Sequence, residues 1–238
     1  MDDIIGRVLE IVRHPVKSMA GERLSVAEID WQGLEGDRQY GLVRRSNTTR
    51  FPWFTGRDFS DLVLYRATYD DPELPRTSPV TVITPEGITL SLSDAKLIVS
   101  LEEKTGQALD LMQLGIGAYD SMPVSIVTTA SLKKLDATHG ASLDRRRFRT
   151  NIIVESDRLD EDWRGQRISF GDADAAQLMI AYAAPRCAMI TIDPDTAERD
   201  ARVLRTVAQS FGNAFTMYAS VARPGLLREG DAVRLVGD

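Results

Sequence analysis

The only cysteine in the chain, Cys187, follows an arginine in the run Ala184-Pro185-Arg186-Cys187-Ala188-Met189-Ile190-Thr191-Ile192-Asp193-Pro194-Asp195-Thr196. The Arg186 charge beside the sulfur favours thiolate over thiol. A thiolate is a nucleophile and also a soft ligand for copper, iron–sulfur, zinc or a heavier soft metal. A free cysteine can equally be one more small buried apolar residue. With a single cysteine there can be no CxxC pair, no cysteine-rich zinc site and no intrachain disulfide. A metal held at Cys187 would therefore take most of its coordination from outside the protein, from a cofactor.

The other informative residues are cations on loops. Lys17 and Ser18 sit on residues 14–19, Arg38 follows the turn 33–36, and Arg57 lies on a third loop. Arg145, Arg146, Arg147 and Arg149 form a dense group, and Arg186 adjoins the thiol. Arginine forks suit phosphate and carboxylate bidentately, so several converging forks would make an anion site. Asn151 could add a neutral amide. The plainer reading is a solvated face with scattered ion pairs. The two histidines, His14 and His139, have no metal spacing, and nucleotide-binding, GxSxG and dinucleotide fingerprints are absent.

The elements that must position these residues are mostly short strands. Strands are predicted at residues 6–12, 24–29, 37–43, 62–68, 108–114, 124–128, 151–155, 166–170 and 176–183. Residues 188–192 read as another strand after the cysteine, stopped by Asp193-Pro194. Pro85-Glu86-Gly87 reads as a hairpin turn, and 216–222 and 225–236 as the last strands. Helices are predicted from Ser93 to Gly106, around Leu132 and Leu135 up to Gly140, and around Val203, Leu204, Val207 and Phe211. This points to a mostly β, α+β chain with a β-barrel-like core. The 238 residues fit one large domain or two packed ones, divided at 115–117 into 1–117 and 118–238. The formal charge of -6 argues against a general nucleic-acid surface. The lone cysteine and the absence of an export signal or an apolar run of about 18 residues predict a reducing, cytoplasmic setting.

In order, the chain carries His14-Pro15-Val16-Lys17-Ser18, Asp37-Arg38, Phe148-Arg149-Thr150-Asn151, Arg186-Cys187 with Asp193-Pro194-Asp195-Thr196, and Pro224-Gly225 through Gly230-Asp231. Across nearly its whole length this resembles the MOSC-domain proteins preceded by their N-terminal β-barrel domain, among them the amidoxime-reducing components. The resemblance implies a molybdenum cofactor whose metal is bound by Cys187, with Lys17, Ser18, Arg38, Arg57, Asp120, Ser121, Arg149, Asn151 and Arg186 around the pterin and its phosphate. It implies reduction of N-hydroxylated compounds, with Cys187 and Arg186 at the reaction centre and electrons from an external haem, flavin or ferredoxin-type partner. Thr150 stands where the family has proline, and His14 where it has tyrosine. Two further readings are a carrier of sulfur or of molybdenum cofactor that uses Cys187 without turnover, and a cofactor-free domain in which Cys187 is merely buried.

Overall fold

The computed structural model describes residues 3–171 and 174–237. Seven strands close into a ring. In order around it they are Ile152–Glu155, Val124–Thr128, Ala214–Arg223, Gln177–Pro185, Arg167–Phe170, Ala232–Val236 and Ile4–Arg13, which returns to Ile152–Glu155. Closure removes the open sheet edges that would otherwise invite pairing with other chains. The interior is aliphatic and aromatic, with Ile11, Ile126, Ile152, Ile168, Phe170 and Leu178 each fully buried. In Ile4–Arg13 the inward residues Ile5, Val8 and Ile11 are spaced by three rather than two. Register slips at Ile4/Gly6 and Val8/Glu10 account for this, since a bulge moves a side chain to the opposite face.

One pair in the ring is parallel, Val124–Thr128 with Ile152–Glu155. A parallel pair cannot be joined by a hairpin and needs a crossover. Helix α2, Thr129–His139, supplies it, capped by the Thr128 hydroxyl on Ser131 N and ended by Gly140 at φ 84°. The return leg holds Arg145–Arg149, so the dense arginine group is carried by an obligatory crossover. Four of those residues, Arg145–Phe148, form a 3-10 turn capped by Asp144 rather than an open loop.

The long antiparallel pair Gln177–Pro185 with Ala214–Arg223 slips register three times, twice between Ile180 and Pro185. The chain between them carries Cys187 and helix α3, Ala201–Ser210. The strand expected at 188–192 is instead a 3-10 turn, Ala188–Thr191. The Thr191 hydroxyl donates back to Ala188 O at 2.7 Å, and Ile190 packs with Val203 and Val207 of α3. Residues 62–68 also divide, into a 3-10 turn Ser60–Leu64 and a strand Arg66–Tyr69, because Leu62 and Val63 are buried consecutively and cannot alternate. The hairpin 80–91 and helix α1, Ala95–Thr105, form as expected, although Asp94 and not Ser93 caps the helix.

Residues 40–113 build a smaller lobe with its own core around Leu42, Phe54, Tyr65, Val82, Leu97 and Leu109. Ile4–Arg13 pairs instead with the barrel strands Ile152–Glu155 and Ala232–Val236, and Val26–Asp30 pairs with Gly225–Arg228 in a separate small sheet, while Val16 and Met19 join the smaller lobe's core. Leu178 is fully buried and Leu74 is 60% exposed. Leu178→Ala is expected to lower the unfolding free energy by about 2–5 kcal/mol, and Leu74→Ala to stay within about 0.5 kcal/mol of wild type, both by urea denaturation.

Candidate functional site

The loop after Ile4–Arg13 leads into the smaller lobe and zips against the approach to Tyr40–Arg44. Arg38 N donates to His14 O at 2.6 Å, Tyr40 N to Pro15 O at 3.1 Å and Lys17 N to Tyr40 O at 2.8 Å. This fixes Lys17, Ser18 and Arg38 side by side. Asn151, at the end of the crossover, is 1% exposed and binds three other segments. Its Oδ1 accepts from Ser125 N (3.1 Å) and Oγ (3.0 Å) and from Arg38 Nη1 (3.5 Å), and its Nδ2 donates to Val12 O at 3.2 Å. Arg38 Nη2 donates to Arg149 O at 2.9 Å, and Arg38 also pairs with buried Asp37.

Three of these residues hold left-handed backbone, Ser18 at φ 70° and Arg38 and Arg149 at φ 52°. Each such non-glycine conformation costs on the order of 1–3 kcal/mol and persists only where its surroundings enforce it. Thr216, at φ 64°, accompanies them. Its hydroxyl accepts from Arg186, whose Nε and Nη1 donate to Phe215 O (2.7 Å) and Phe148 O (3.1 Å). The Arg186 fork is thus spent on tying the cysteine loop to the barrel end.

Cys187 is exposed, which overturns its reading as a merely buried residue. It opens the Ala188–Thr191 turn with extended backbone. Among the described residues, no three His, Cys, Asp or Glu side chains are grouped to hold a metal. Cys187 lines a cleft of about 240 Å³ together with Lys17, Ser18, Arg38, Arg57, Asp120, Arg149, Asn151 and Arg186. Nine of the ten residues singled out in the sequence therefore share one space. Ser121 is not among those lining it, and its hydroxyl meets the Tyr182 phenol instead. Sequence reasoning missed Tyr119, Tyr218, Thr55, Met189 and Phe51, which also line the cleft. Phe51 lies under the Arg57 guanidinium at 4.8 Å. Their only signal is an aromatic or polar residue on a loop or strand of otherwise ordinary pattern.

The electrostatics are unbalanced. Lys17, Arg38, Arg149 and Arg186 face two carboxylates, Asp37 and Asp120. Burial, followed by repulsion from Arg38, pulls Arg149 down to about 9. Burial also lowers Arg186 to about 10, against the opposing pull of Tyr218 and Cys187. Lys17 is lowered by burial although Asp120 accepts from its Nζ at 2.7 Å. For Arg38 burial is the largest influence and works against the charge, but Asp37, Tyr119 and Asp120 together outweigh it and the guanidinium is held above its ordinary value. Arg149 Nη1 donates to Met19 O at 2.6 Å, while its buried Nη2 has no partner among the described residues. An anion accepting from Arg149 and Lys17 would relieve these penalties, and the exposed Cys187 sulfur could ligate a soft metal that the anion carries.

A thiol-bearing, cation-lined cleft at the end of a closed β-barrel is thus the class of site this fold builds. Residues 113–234 match the MOSC domain and residues 5–122 the MOSC N-terminal beta barrel domain, and the chain belongs to the MOSC family. The chain is similar to mitochondrial amidoxime reducing component 2 of Bos taurus, 24% identical over 285 residues that cover 96% of this chain and 83% of that one. It is similar to the molybdenum cofactor sulfurase of Anopheles gambiae, 41% identical over 93 residues, 37% of this chain and 11% of that one. In fold it resembles the crystal structure of the YUAD protein from Bacillus subtilis, with a TM-score of 0.52 and 13% identity over 99% of this chain and 98% of that one. No helix among the described residues is long and apolar enough to cross a membrane.

His14, whose N–H donates to Asp37 Oδ1 at 2.7 Å, supplies a test of this electrostatic network. Burial, then repulsion from Arg149, lowers the imidazole from 6.5 to about 3 in spite of Asp37. The unfolded chain then takes up a proton near pH 6.5 that the folded chain refuses. Stability is complete above that pH and is lost as pH falls toward 3, by about 2 kcal/mol between pH 8 and pH 5. Urea denaturation of His14→Gln should show a flatter profile than wild type over that window. Equal slopes would mean that His14 takes up its proton alike in the folded and unfolded chains.

Proposed function

We propose that the cleft holds a molybdenum cofactor with Cys187 as the one protein ligand to its metal, and that the loaded protein reduces N-hydroxylated compounds. The observation that carries this reading is the excess of desolvated cations around an exposed thiol in a protein of net negative charge. MOSC membership, and relatives named amidoxime reducing components, support it. When bound, such a cofactor supplies a two-electron metal centre able to take up an oxygen atom. Its electrons would come from a haem, flavin or ferredoxin-type partner.

The chain's residues have separable tasks in this reading. Lys17, Arg38 and Arg149 hold the anionic group, with Arg149 Nη2 as an open donor. Arg186 is fixed by three acceptors and holds the cysteine loop to the barrel end. Tyr218, raised by burial, holds its phenolic proton at the cleft wall. Asn151 acts through Arg38 and Ser125 as a positioning residue.

A second reading draws on the same exposure of Cys187: an accessible thiol suits transfer of sulfur, or of the cofactor itself, to an acceptor. The two part on retention, because an enzyme keeps its cofactor through purification and a carrier releases it. Expressed in a cofactor-producing host, the protein should hold about one molybdenum per chain, with pterin fluorescence after oxidation. Cys187→Ala should retain roughly ten- to a hundredfold less metal, and Arg149→Ala should lose pterin as well. Retained molybdenum with turnover of an amidoxime on a chemical donor supports the enzyme. Release to an added acceptor without turnover supports the carrier, and wild type without metal or pterin sinks both.

A further inference from the structure

Behind the Arg145–Phe148 turn lies a second cavity, of about 700 Å³, that the reading above does not use. Arg147, Arg149 and Met189 line both spaces and so form a shared wall. The volume is in the range of small-molecule sites, whose walls are mainly apolar with a few placed polar groups. Here Val63, Ile153 and Ile192 are buried, and Leu132 and Leu143 partly so.

Four lining residues carry buried polar atoms that nothing in the described protein satisfies: His14 Nδ1, Arg147 Nε, Arg149 Nη2 and Thr150 Oγ1. Thr150 is 5% exposed and its Oγ1 has no hydrogen-bond partner. The Arg147 side chain is 9% exposed, and its Nη2 and Nη1 reach Asp193 and Thr191 O while its Nε reaches nothing. Leaving such groups unpaired is costly in a folded protein. Arg147 Nε and Thr150 Oγ1 can both donate, so an occupant with acceptor oxygens answers both.

Charge at the rim points the same way. Arg145 pairs with Glu10, and Arg146 with Asp144 and Asp195. Arg66 and Lys133 are exposed and have no carboxylate at ion-pair distance among the described residues. The wall also carries Asp136, whose oxygens accept from Leu143 N and Ser142 Oγ. Two unneutralised cations beside an apolar stretch of wall fit a molecule with an anionic head and an apolar body. A neutral apolar ligand would leave the donors unpaired, and a bare inorganic anion would leave the apolar wall uncovered.

We propose that this cavity binds a small amphiphilic organic acid, its carboxylate or phosphate monoester directed to Arg66, Lys133 and the Arg147–Thr150 wall and its body laid on Leu132 and Leu143. The proposal is independent of any cofactor at Cys187. Octanoate, octyl phosphate and 1-octanol, titrated into the full-length protein by calorimetry, test it. One of the two anions should bind saturably at one site per chain, and which one does so identifies the head group. 1-Octanol should bind at least tenfold more weakly.

The double variant Arg66→Ala/Lys133→Ala changes only exposed side chains and should weaken the anion at least tenfold. Leu143→Trp, which fills the chamber, should abolish binding with its thermal transition retained. Arg57→Ala, on the other cleft alone, should change nothing. No saturation by either anion, equal binding of 1-octanol, or sensitivity to Arg57→Ala without sensitivity to Arg66→Ala/Lys133→Ala would each overturn the assignment.

Discussion

Asn151 accepts from Ser125 and donates to Val12, while two residues earlier Arg149 offers its carbonyl to Arg38, so a few hydrogen bonds join the barrel's first strand, its crossover and the smaller lobe. Most features of the cleft depend on this junction. Arg38 can stay charged in a buried place because Asp37 is beside it, and Asp37 is held by the His14 amide. Removing one partner from such a network leaves an uncompensated buried charge, which is costlier than never having built the pair. The junction explains why a chain with acids to spare still collects cations at one barrel end.

That collection opposes folding. Arg149 and Arg186 sit below their ordinary values because burial is only partly compensated, and three cleft residues hold left-handed backbone. The barrel interior and the smaller lobe's separate core can carry this burden, since both are filled with fully buried aliphatic and aromatic side chains. Strain of this kind concentrates where a ligand is to be received.

Much of the frame was legible in the residue pattern. Alternation located most of the strands, and Gly106 and Gly140 marked the ends of two helices as the left-handed caps they prove to be. Cations on separate loops hinted at a common anion site, but only the parallel strand pair and the loop zipper bring them together. The 188–192 run misled because a short apolar stretch reads alike as a strand or a buried turn, and the back-bond from Thr191 decides for the turn. Left-handed backbone at Ser18, Arg38 and Arg149 leaves no trace in residue type, since none is glycine or asparagine. Arg186 looked like the sulfur's partner, yet its fork points to Phe215, Phe148 and Thr216. Phe51 and Tyr218 belong to the cleft through tertiary placement alone.

The ring is closed by Ile4–Arg13, wedged between Ile152–Glu155 and Ala232–Val236. Synthesis runs from the amino terminus, so Ile4–Arg13 leaves the ribosome long before Ala232–Val236 and must wait for it before the ring can close. Until then the edge that meets Ala232–Val236 stays unpaired and the apolar face of Ile5, Val8 and Ile11 lacks part of its cover, while the core of the smaller lobe draws only on residues 16–111. Pairings this distant in sequence are slow to form and leave strand edges available to other chains. The geometry that seals the finished barrel makes the nascent one dependent on protection of its beginning until its end arrives.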